Sequence, residues 1–250
     1  MELIVLGCSG TYPRPGSACS GYLVQEGHYS LWVDCGNGSL SRLQEFIPLD
    51  AVDAIVLTHL HADHCVEIVP FYYALRYGKS TGRRIPVYAP AGAESYLGAL
   101  LSAGSSKAFE AILDFEHVGA GDALDIGPFK VQTYRALHPV ETLALRIESR
   151  GHVLAYSADT GPCPEVVEAA RDADLFLCEA TFQDDDLSPP KLHLRASEAG
   201  ALAREAGVSR LAITHVWGGH DPRPSLGQAA ATFGGVTFLA SDGMSLEVGS

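Results

Sequence analysis

The chain has 250 residues, 47% of them hydrophobic, and a formal net charge of −13 at pH 7. The length fits one large domain, and the composition supplies a substantial core and has none of the bias of disordered chains. The negative charge disfavours non-specific binding of nucleic acids, although a local basic patch could still bind a phosphate.

The sequence gives no sign of a membrane segment or of a secretory leader. No apolar run approaches the ~20 residues that span a bilayer, and the N-terminus, MELIVLGCSG, has no basic leader. Cysteines at positions 8, 19, 35, 65, 163 and 178 form no CxxC pair, which is typical of reduced, buried thiols rather than of a disulfide framework. We therefore predict a cytoplasmic protein without a membrane partner.

Short runs rich in β-branched and aromatic residues recur along the chain, mostly separated by Gly, Pro, Asn or Asp. They predict strands at residues 3–7, 22–25, 30–34, 53–58, 86–89, 129–134, 142–148, 152–157, 174–179, 210–214, 236–240 and 244–248. Helical patterns lie at 38–47, 63–76, 91–102, 163–171, 196–206 and 225–233. Ser197 is a candidate N-cap and Gly207 a left-handed stop for the fifth helix. The absence of a linker predicts one domain, residues 1–250, built from sheets that helices cover.

The segment THLHADHC at 58–65 directly follows an apolar strand and concentrates metal-binding side chains. His59 and His61 are two residues apart and face the same side of an extended chain, while Asp63 and His64 fall at the start of the helix predicted through residue 76. Neutral imidazoles and a carboxylate are ligands that Zn²⁺ prefers. One tetrahedral ion cannot readily use all four groups and keep a position for water, so the motif predicts two ions with further ligands from elsewhere.

Three later side chains also follow predicted strands. His138 precedes Pro139, which favours an extended backbone at that position. Asp159 follows the strand HVLAYS, and His215 follows LAIT much as His59 follows AIVLT. Together with the first motif, these positions predict the remaining ligands.

THLHADH resembles the signature of the metallo-β-lactamase fold, and ALHPVET, YSADTG and ITHV resemble the later motifs of that superfamily in the same order. The resemblance extends from LGCSGTYPRPG to the last strand and implies an α/β (α+β) protein with a four-layer αββα sandwich. It implies one metal held by His59, His61 and His138, a second held by Asp63, His64 and His215, and Asp159 bridging the two. Asp34, in VDCGNGSL, resembles a family aspartate that accepts an imidazole N–H and so supports the ligands; a simple turn residue is the alternative.

The aspartates at 63 and 159 give a harder ligand set than the thiolate-containing, antibiotic-hydrolysing members have. This set suits a hydrolase with two divalent ions, in which a bridging hydroxide attacks and both metals stabilise charge on oxygen. Zinc is the first choice, with manganese or iron as alternatives.

CEATF (178–182) and KLHLRASEAG (191–200) resemble motifs of the phosphodiesterase branch, which contains the tRNA 3′-processing endonucleases. The resemblance implies that Glu179 orients His193, which binds phosphate or protonates the leaving oxygen. The predicted catalytic residues are therefore Asp63, Glu179 and His193. The tRNA enzymes carry a long arm between the third-motif histidine and the bridging aspartate, whereas only 20 residues separate His138 from Asp159 here.

These features predict hydrolysis of a small phosphodiester, with 3′,5′-cyclic AMP or a related cyclic phosphate as the first candidate. The alternatives are tRNA 3′-end processing, hydrolysis of a thioester or lactone, and a non-catalytic metal-binding role. Because family members commonly form dimers, a homodimer is a further expectation.

Substrate contacts are predicted from the loops next to the ligands. Glu141 and Thr142 follow His138, although Thr142 alternatively just begins the next strand. In WGGHDPRP (217–224), Trp217 could stack on a base and His220 could contact phosphate. The densest basic patch consists of Arg76, Lys79, Arg83 and Arg84, and we interpret it as a solvated loop after a helix.

Overall fold

A computed structural model describes residues 1–78, 82–101, 106–187 and 191–249. Its strands are β1 Glu2–Gly7, β2 Ser9–Gly10, β3 Gly21–Glu26, β4 Tyr29–Cys35, β5 Ala54–Val56, β6 Ile85–Ala89, β7 Leu113–His117, β8 Ala123–Ile126, β9 Phe129–Arg135, β10 Leu143–Ser149, β11 His152–Tyr156, β12 Leu175–Glu179, β13 Arg210–Thr214, β14 Val216–Trp217, β15 Val236–Leu239 and β16 Ser245–Glu247. Its α-helices are α1 Ser39–Leu43, α2 Ala62–Cys65, α3 Ile68–Tyr77, α4 Ala93–Gly98, α5 Ser106–Glu110, α6 Pro164–Ala170, α7 Ala196–Ala206 and α8 Arg223–Phe233.

Two seven-stranded sheets form the centre of the described structure. Their strand orders are β16-β1-β3-β4-β5-β6-β7 and β15-β13-β12-β11-β10-β9-β8. In each sheet one part is parallel, from β4 to β7 in the first and through β11, β12, β13 and β15 in the second. The loops that follow parallel strands leave a sheet at the same edge, where side chains from several strands can meet.

Three apolar layers hold the sheets and helices together. Between the sheets, Tyr22 and Tyr156 pack edge to face with ring centroids 5.0 Å apart. On the outer face of the first sheet, Phe71 of α3 packs against Trp32, with centroids 5.4 Å apart. Helices α6, α7 and α8 cover the second sheet with small apolar residues such as Ala203. The four-layer αββα fold predicted from the motif resemblance is thus confirmed.

The single helix predicted at 63–76 is wrong, because the chain breaks between α2 and α3. The Glu67 backbone N–H donates to the carbonyl of Cys35 at 2.9 Å, and the Glu67 carboxylate accepts from the Gly38 N–H at 3.0 Å. Glu67 therefore ties this point to the end of β4 instead of continuing the first helix. The break leaves α2 as a single turn that carries Asp63 and His64.

The predicted N-cap of α7 is also wrong, whereas its predicted stop is confirmed. The cap position is Arg195, whose backbone N–H donates to the Glu198 carboxylate at 2.8 Å. The Ser197 N–H donates to Asp184 Oδ1 at 3.1 Å, so a carboxylate from another loop satisfies this free amide. Gly207 ends the helix with a φ of 70°.

The basic patch is paired with its surroundings in the part of the chain that the structure describes. Arg83 contacts Asp53 at 2.7 Å and Arg84 contacts Asp114 at 2.7 Å, while Arg76 donates to the hydroxyl of Tyr72. Lys79 lies outside the described residues. Within the described ranges, none of the helices has the length and apolar character that crossing a membrane would require.

Candidate metal centre and active site

The predicted ligands follow the ends of strands from both sheets. His59, His61, Asp63 and His64 come after β5 in the first sheet, whereas His138, Asp159 and His215 come after β9, β11 and β13 in the second. The structure brings all seven side chains together at one edge of the sandwich.

The first cluster consists of His59, His61, His138 and Asp159, whose donor atoms all lie within 4.8 Å of one another. His61 Nδ1 and His138 Nε2 are 3.2 Å apart. Asp159 Oδ2 lies 3.7 Å from His59 Nε2 and 3.9 Å from His138 Nε2. Three imidazoles and one carboxylate oxygen therefore converge on a volume the size of one ion.

The second cluster consists of Asp63, His64, His215 and the same Asp159. Here Asp159 uses its other oxygen, Oδ1, which lies 3.2 Å from His64 Nε2 and 3.3 Å from His215 Nε2. Asp63 Oδ2 is 3.4 Å from His215 Nε2 and accepts the backbone N–H of Thr11 at 2.9 Å. Because the two clusters use different oxygens of Asp159, its carboxylate has the placement of a bridging ligand.

Asp34 fixes the orientation of two imidazoles. His64 Nδ1 donates directly to Asp34 Oδ2 at 2.8 Å. The Thr58 hydroxyl donates its single proton to the same carboxylate, so it accepts from His59 Nδ1 at 3.1 Å. The Thr58 backbone N–H and the Tyr156 hydroxyl also donate to Asp34, at 2.8 and 2.9 Å. Both imidazoles consequently direct Nε2 at the centre, where the deprotonated atom can bind a metal, and Asp34 has the predicted supporting position.

Glu179 fixes the orientation of two further imidazoles, those of His193 and His215. His193 Nδ1 donates to Glu179 Oε1 at 2.8 Å. The Thr181 hydroxyl donates to Glu179 Oε2 at 2.7 Å and therefore accepts from His215 Nδ1 at 2.9 Å. The Thr160 N–H also donates to this fully buried carboxylate, at 2.7 Å. Glu179 thus links the predicted acid, one metal ligand and the residue after Asp159.

Three buried polar atoms at the centre have no hydrogen-bond partner among the described residues: His59 Nε2, His64 Nε2 and Asp159 Oδ1. Buried polar atoms are nearly always paired in proteins, so these three atoms require another partner. The five imidazoles and two carboxylates are a donor set that suits Zn²⁺ or a similar divalent ion. The residues present therefore fit the metals that the motif implies.

Residues 29–216 match the family model described as "Beta-lactamase superfamily domain". The chain belongs to this superfamily. It is 33% identical to "Probable metallo-hydrolase YhfI" of Bacillus subtilis over 97% of this chain and 98% of that protein. It is 30% identical to a ribonuclease Z of Myxococcus xanthus over 99% of this chain and 98% of that enzyme. The crystal structure of YhfI superimposes with a TM-score of 0.88 over 98% of this chain and 99% of YhfI.

The fold is shared more widely still. The crystal structure described as a new diphosphatase from the PhnP family matches with a TM-score of 0.76 at 20% identity, over 98% of this chain and 96% of that one. The chain is a metallo-hydrolase of the β-lactamase superfamily, and the prediction of a metal-dependent hydrolase is confirmed at this level.

Burial and neighbouring charges shift the pKa values of the predicted ligands. Burial opposes ionisation of Asp159, but His215 and His64 outweigh it and hold the pKa of Asp159 well below its usual range. For His64, burial is outweighed by Asp159 and Asp34, which raise its pKa. Burial lowers the pKa of His59, which favours the neutral imidazole that a metal requires.

His193, the predicted acid, differs from His59 because its surroundings raise its pKa. Burial alone would lower the pKa of His193, but the Glu179 carboxylate outweighs burial and raises that pKa to about 9. The His193 ring stacks on that of His215 with centroids 5.7 Å apart and lies edge-on to His138 at 5.0 Å. Glu179 therefore favours the protonated form of an imidazole that lies directly beside the predicted metal ligands.

Several backbone positions at the centre have left-handed conformations that non-glycine residues seldom adopt. The φ values are 67° for Thr11, 54° for Asp34, 50° for Ala158 and 54° for His215. Each such residue costs about 1–3 kcal/mol unless its surroundings hold it. Strain at positions that carry or adjoin ligands is typical of a functional site.

The predicted substrate contacts have mixed surroundings. Trp217 is 40% exposed and lies edge-on to Phe182. His220 pairs with Asp186 at 3.0 Å, which gives it a role in joining two loops. The other two predicted contacts differ in exposure: Glu141 is exposed, whereas Thr142 is buried. The Thr142 hydroxyl donates to the backbone carbonyl of Val140.

Sequence reasoning missed the two threonine hydroxyls and the Thr11 amide. Thr181 lies two residues after Glu179, so in an extended segment both side chains face the same side, and this spacing could have indicated it. Thr58 adjoins His59 but gives no comparable signal. The Thr11 N–H contacts Asp63 through its backbone, which no side-chain pattern can reveal.

Proposed function

We propose that this protein is a phosphodiesterase that hydrolyses a small phosphodiester, with 3′,5′-cyclic AMP or a related cyclic phosphate as the first candidate. The observation that carries the proposal is the Glu179–His193 pair beside the metal ligands. An alkoxide or ribose oxygen leaves poorly without a proton, and a histidine whose pKa is about 9 is protonated at neutral pH.

We further propose that two divalent ions, zinc in the first place, occupy the centre. His59, His61 and His138 would hold one ion, Asp63, His64 and His215 the other, and Asp159 both. Such ions, when bound, lower the pKa of a coordinated water and neutralise charge that develops on phosphate oxygens.

The chain's own contribution is the proton for the leaving group. Glu179 accepts the Nδ1–H of His193 at 2.8 Å, which leaves the Nε2–H of the imidazolium available. As a water oxygen bonds to phosphorus and the P–O bond to the leaving group breaks, the proton at Nε2 passes to the leaving oxygen. The proton that the water gives up goes to solvent, from which His193 is protonated again for the next turnover. The N–H groups of Thr160 and Leu194 hold Glu179 at 2.7 and 3.1 Å, so the carboxylate does not reorganise during this transfer.

The segment between His138 and Asp159 supports a small substrate. Strands β10 and β11 fill it as a hairpin, and the two-residue turn at Arg150 and Gly151 has φ values of 51° and 82°. This hairpin takes the place of the arm expected in tRNA-processing enzymes. The alignment with the ribonuclease Z of Myxococcus xanthus spans 305 positions against the 250 residues of this chain, a difference of 55.

Processing of tRNA 3′ ends is the second candidate, because the chain is 30% identical to that ribonuclease Z over nearly the whole of both proteins. A substrate panel on protein of measured metal content separates the two. It comprises 3′,5′-cyclic AMP, 2′,3′-cyclic nucleotides, bis(p-nitrophenyl) phosphate, a precursor tRNA, a thioester and a lactone.

We expect turnover of the cyclic nucleotides that exceeds cleavage of the tRNA. The variant His193→Ala should retain its metals and lose most of that turnover. Faster cleavage of the tRNA than of any small diester would favour the second candidate. Turnover of the lactone or thioester alone would refute both.

We also propose a cytoplasmic location. All six cysteines, which lie in the described ranges, are free thiols, and all but Cys163 are buried. This is typical of compartments that keep thiols reduced.

A further inference from the structure

A small two-stranded parallel sheet borders the metal centre. It pairs Ser9 with Val216 and Gly10 with Trp217, so that β2 and β14 lie side by side. Strand β14 directly follows the ligand His215, and the residue after β2, Thr11, donates its N–H to Asp63. Side chains at the end of this small sheet are therefore fixed relative to both metal clusters.

Two exposed aromatic rings lie at that end. Tyr12 is 44% exposed and Trp217 is 40% exposed. Gly218 makes room for the tyrosine, because a Cβ atom at this position would lie 2.9 Å from Tyr12 Cε2. A Cβ atom at Gly219 would lie 3.4 Å from Tyr12 Oη and 4.0 Å from Trp217 Cε2, so the two rings flank Gly219.

A series of ring contacts connects Trp217 to the proposed acid. Its indole lies edge-on to Phe182, with centroids 6.4 Å apart. The Phe182 ring in turn lies edge-on to His193, with centroids 6.0 Å apart. Trp217 is thus separated from His193 by one side chain, that of Phe182, so a base that stacks on the indole lies close to the proposed acid.

The loops that carry the rings are tied to their surroundings. The Ser9 hydroxyl donates to the carbonyl of Tyr12 at 2.8 Å. Arg14 donates to the carbonyl of His220 at 3.3 Å, and His220 pairs with Asp186 at 3.0 Å. Loops whose backbone is held in this way lose little conformational freedom when a ligand binds.

We propose that Tyr12 and Trp217 form a stacking platform for the base of the substrate, and that the substrate class is therefore a nucleoside cyclic phosphate. The proposal rests on the proposed phosphodiesterase function and restricts the cyclic phosphates considered there to those that carry a base. Aromatic side chains stack on any base, because every base has a π-face, and removing one such ring weakens binding by about ten- to a hundredfold.

Tryptophan fluorescence measures the platform without turnover. The chain has two tryptophans, of which Trp32 is fully buried and Trp217 is exposed. Adenosine 5′-monophosphate added to the metal-loaded protein should quench the emission of Trp217, whereas ribose 5-phosphate should not. The variant Tyr12→Leu should weaken the binding of the nucleotide about tenfold or more, and Tyr12→Phe should retain it.

The kinetic measurement compares 3′,5′-cyclic AMP with the same ribose cyclic phosphate lacking the base. The ratio of their kcat/KM values should fall about tenfold or more in Tyr12→Leu and in Trp217→Leu. Tyr96→Leu is the matched control, since Tyr96 is 46% exposed on α4 and should leave the ratio unchanged.

Equal binding of the two monophosphates, or an unchanged ratio in both leucine variants, would overturn the platform. Failure of the proposed function gives a different result, because neither cyclic phosphate would be hydrolysed. In that case the fluorescence titration alone decides: quenching by the nucleotide that Tyr12→Leu abolishes supports the platform, and its absence refutes it.

Discussion

At the residue scale, Asp34 and Glu179 each support two imidazoles, one directly and one through a threonine hydroxyl. A hydroxyl has a single proton, so a threonine that donates to a carboxylate must accept from the histidine. This arrangement sets the tautomer of His59 and of His215 and leaves Nε2 of each for a metal. The support of these ligands therefore depends on hydroxyls that no metal touches.

Replacing Thr181 by valine should weaken metal binding. The Nδ1–H of His215 and the Oε2 atom of Glu179 would each lose a buried partner, and loss of such support commonly costs 10- to 100-fold in affinity. Calorimetric titration of metal into the metal-free variant measures this loss. Thr181→Ser should bind nearly as the wild type does, because it keeps the hydroxyl.

Thr214→Val is the matched control for that change. Thr214 adjoins His215 in the sequence and is equally buried, but its hydroxyl bonds to the Tyr22 hydroxyl at 2.7 Å. Its metal affinity should stay within about threefold of the wild type. Equal losses in Thr181→Val and Thr214→Val would show general destabilisation instead of a specific role for Thr181.

Replacing Glu179 by glutamine should change the pH dependence of turnover. His193 acts while protonated, so activity is present at neutral pH and lost as pH rises through the pKa of His193, which Glu179 raises to about 9. Without the carboxylate the pKa of His193 falls, and the alkaline limb should move to lower pH by about 1 unit or more. Bound cations lower this pKa in both proteins, so the difference between the two profiles isolates Glu179; identical limbs would contradict the assignment.

The meeting of the seven candidate ligands at one centre could be predicted because their residue types and order form a pattern along the chain. What surrounds them could not, since Thr181 acts on His215 across 34 residues of sequence. The surroundings of His220 illustrate the same limit. Only the folded chain shows that Asp186 pairs with it.

At the scale of elements, the two-residue strand β2 packs directly against His215. Gly10 lies so close to His215 that an added Cβ atom would be 2.6 Å from its carbonyl oxygen and 2.9 Å from Nδ1. Only glycine permits this approach. The pairing of β2 with β14 therefore depends on the residue at position 10.

Gly10→Ala should accordingly displace His215 and weaken metal binding in the second cluster. We expect loss of one metal per chain, measured by elemental analysis after dialysis, with turnover reduced at least tenfold. Gly227→Ala in α8 is the control, because no atom lies within 4 Å of its added Cβ and alanine favours a helix. A Gly10→Ala protein that retains both metals would contradict the role of the close approach.

Sequence patterns located most elements and missed those that tertiary contacts decide. Strand β7, LDFEH, alternates apolar and acidic residues at the edge of its sheet, and β8 has only four residues, so neither gives a strong periodic signal. The break before α3 is likewise invisible along the chain. It depends on the hydrogen bonds that Glu67 makes with the end of β4.

At the scale of the whole molecule, the metal ligands join the two halves of the sandwich. The first sheet supplies the ligands of THLHADH, and the second supplies His138, Asp159 and His215. The Tyr156–Asp34 and Tyr22–Thr214 hydrogen bonds also cross between the two sheets. A cation held by side chains of both clusters would therefore connect the two sheets.

Removing the metals should lower the thermal stability of the protein markedly. A ligand that binds only the folded state stabilises it by about 2.7 kcal/mol at a free concentration of 100 times its Kd. For a chain of this length, that corresponds to a Tm higher by roughly 5–11 °C. Differential scanning calorimetry of metal-free and zinc-loaded protein measures the shift.

The same measurement on two histidine variants tests whether the stabilisation comes from this centre. His215→Ala should lose much of the zinc-dependent shift, because it removes a ligand that the second sheet contributes. His152→Ala should keep the full shift, since His152 lies away from the centre and faces Asp174 at 3.8 Å. A zinc-dependent shift of equal size in both variants would mean that zinc stabilises the chain at another place, and the coupling of the two sheets through the metal centre would be refuted.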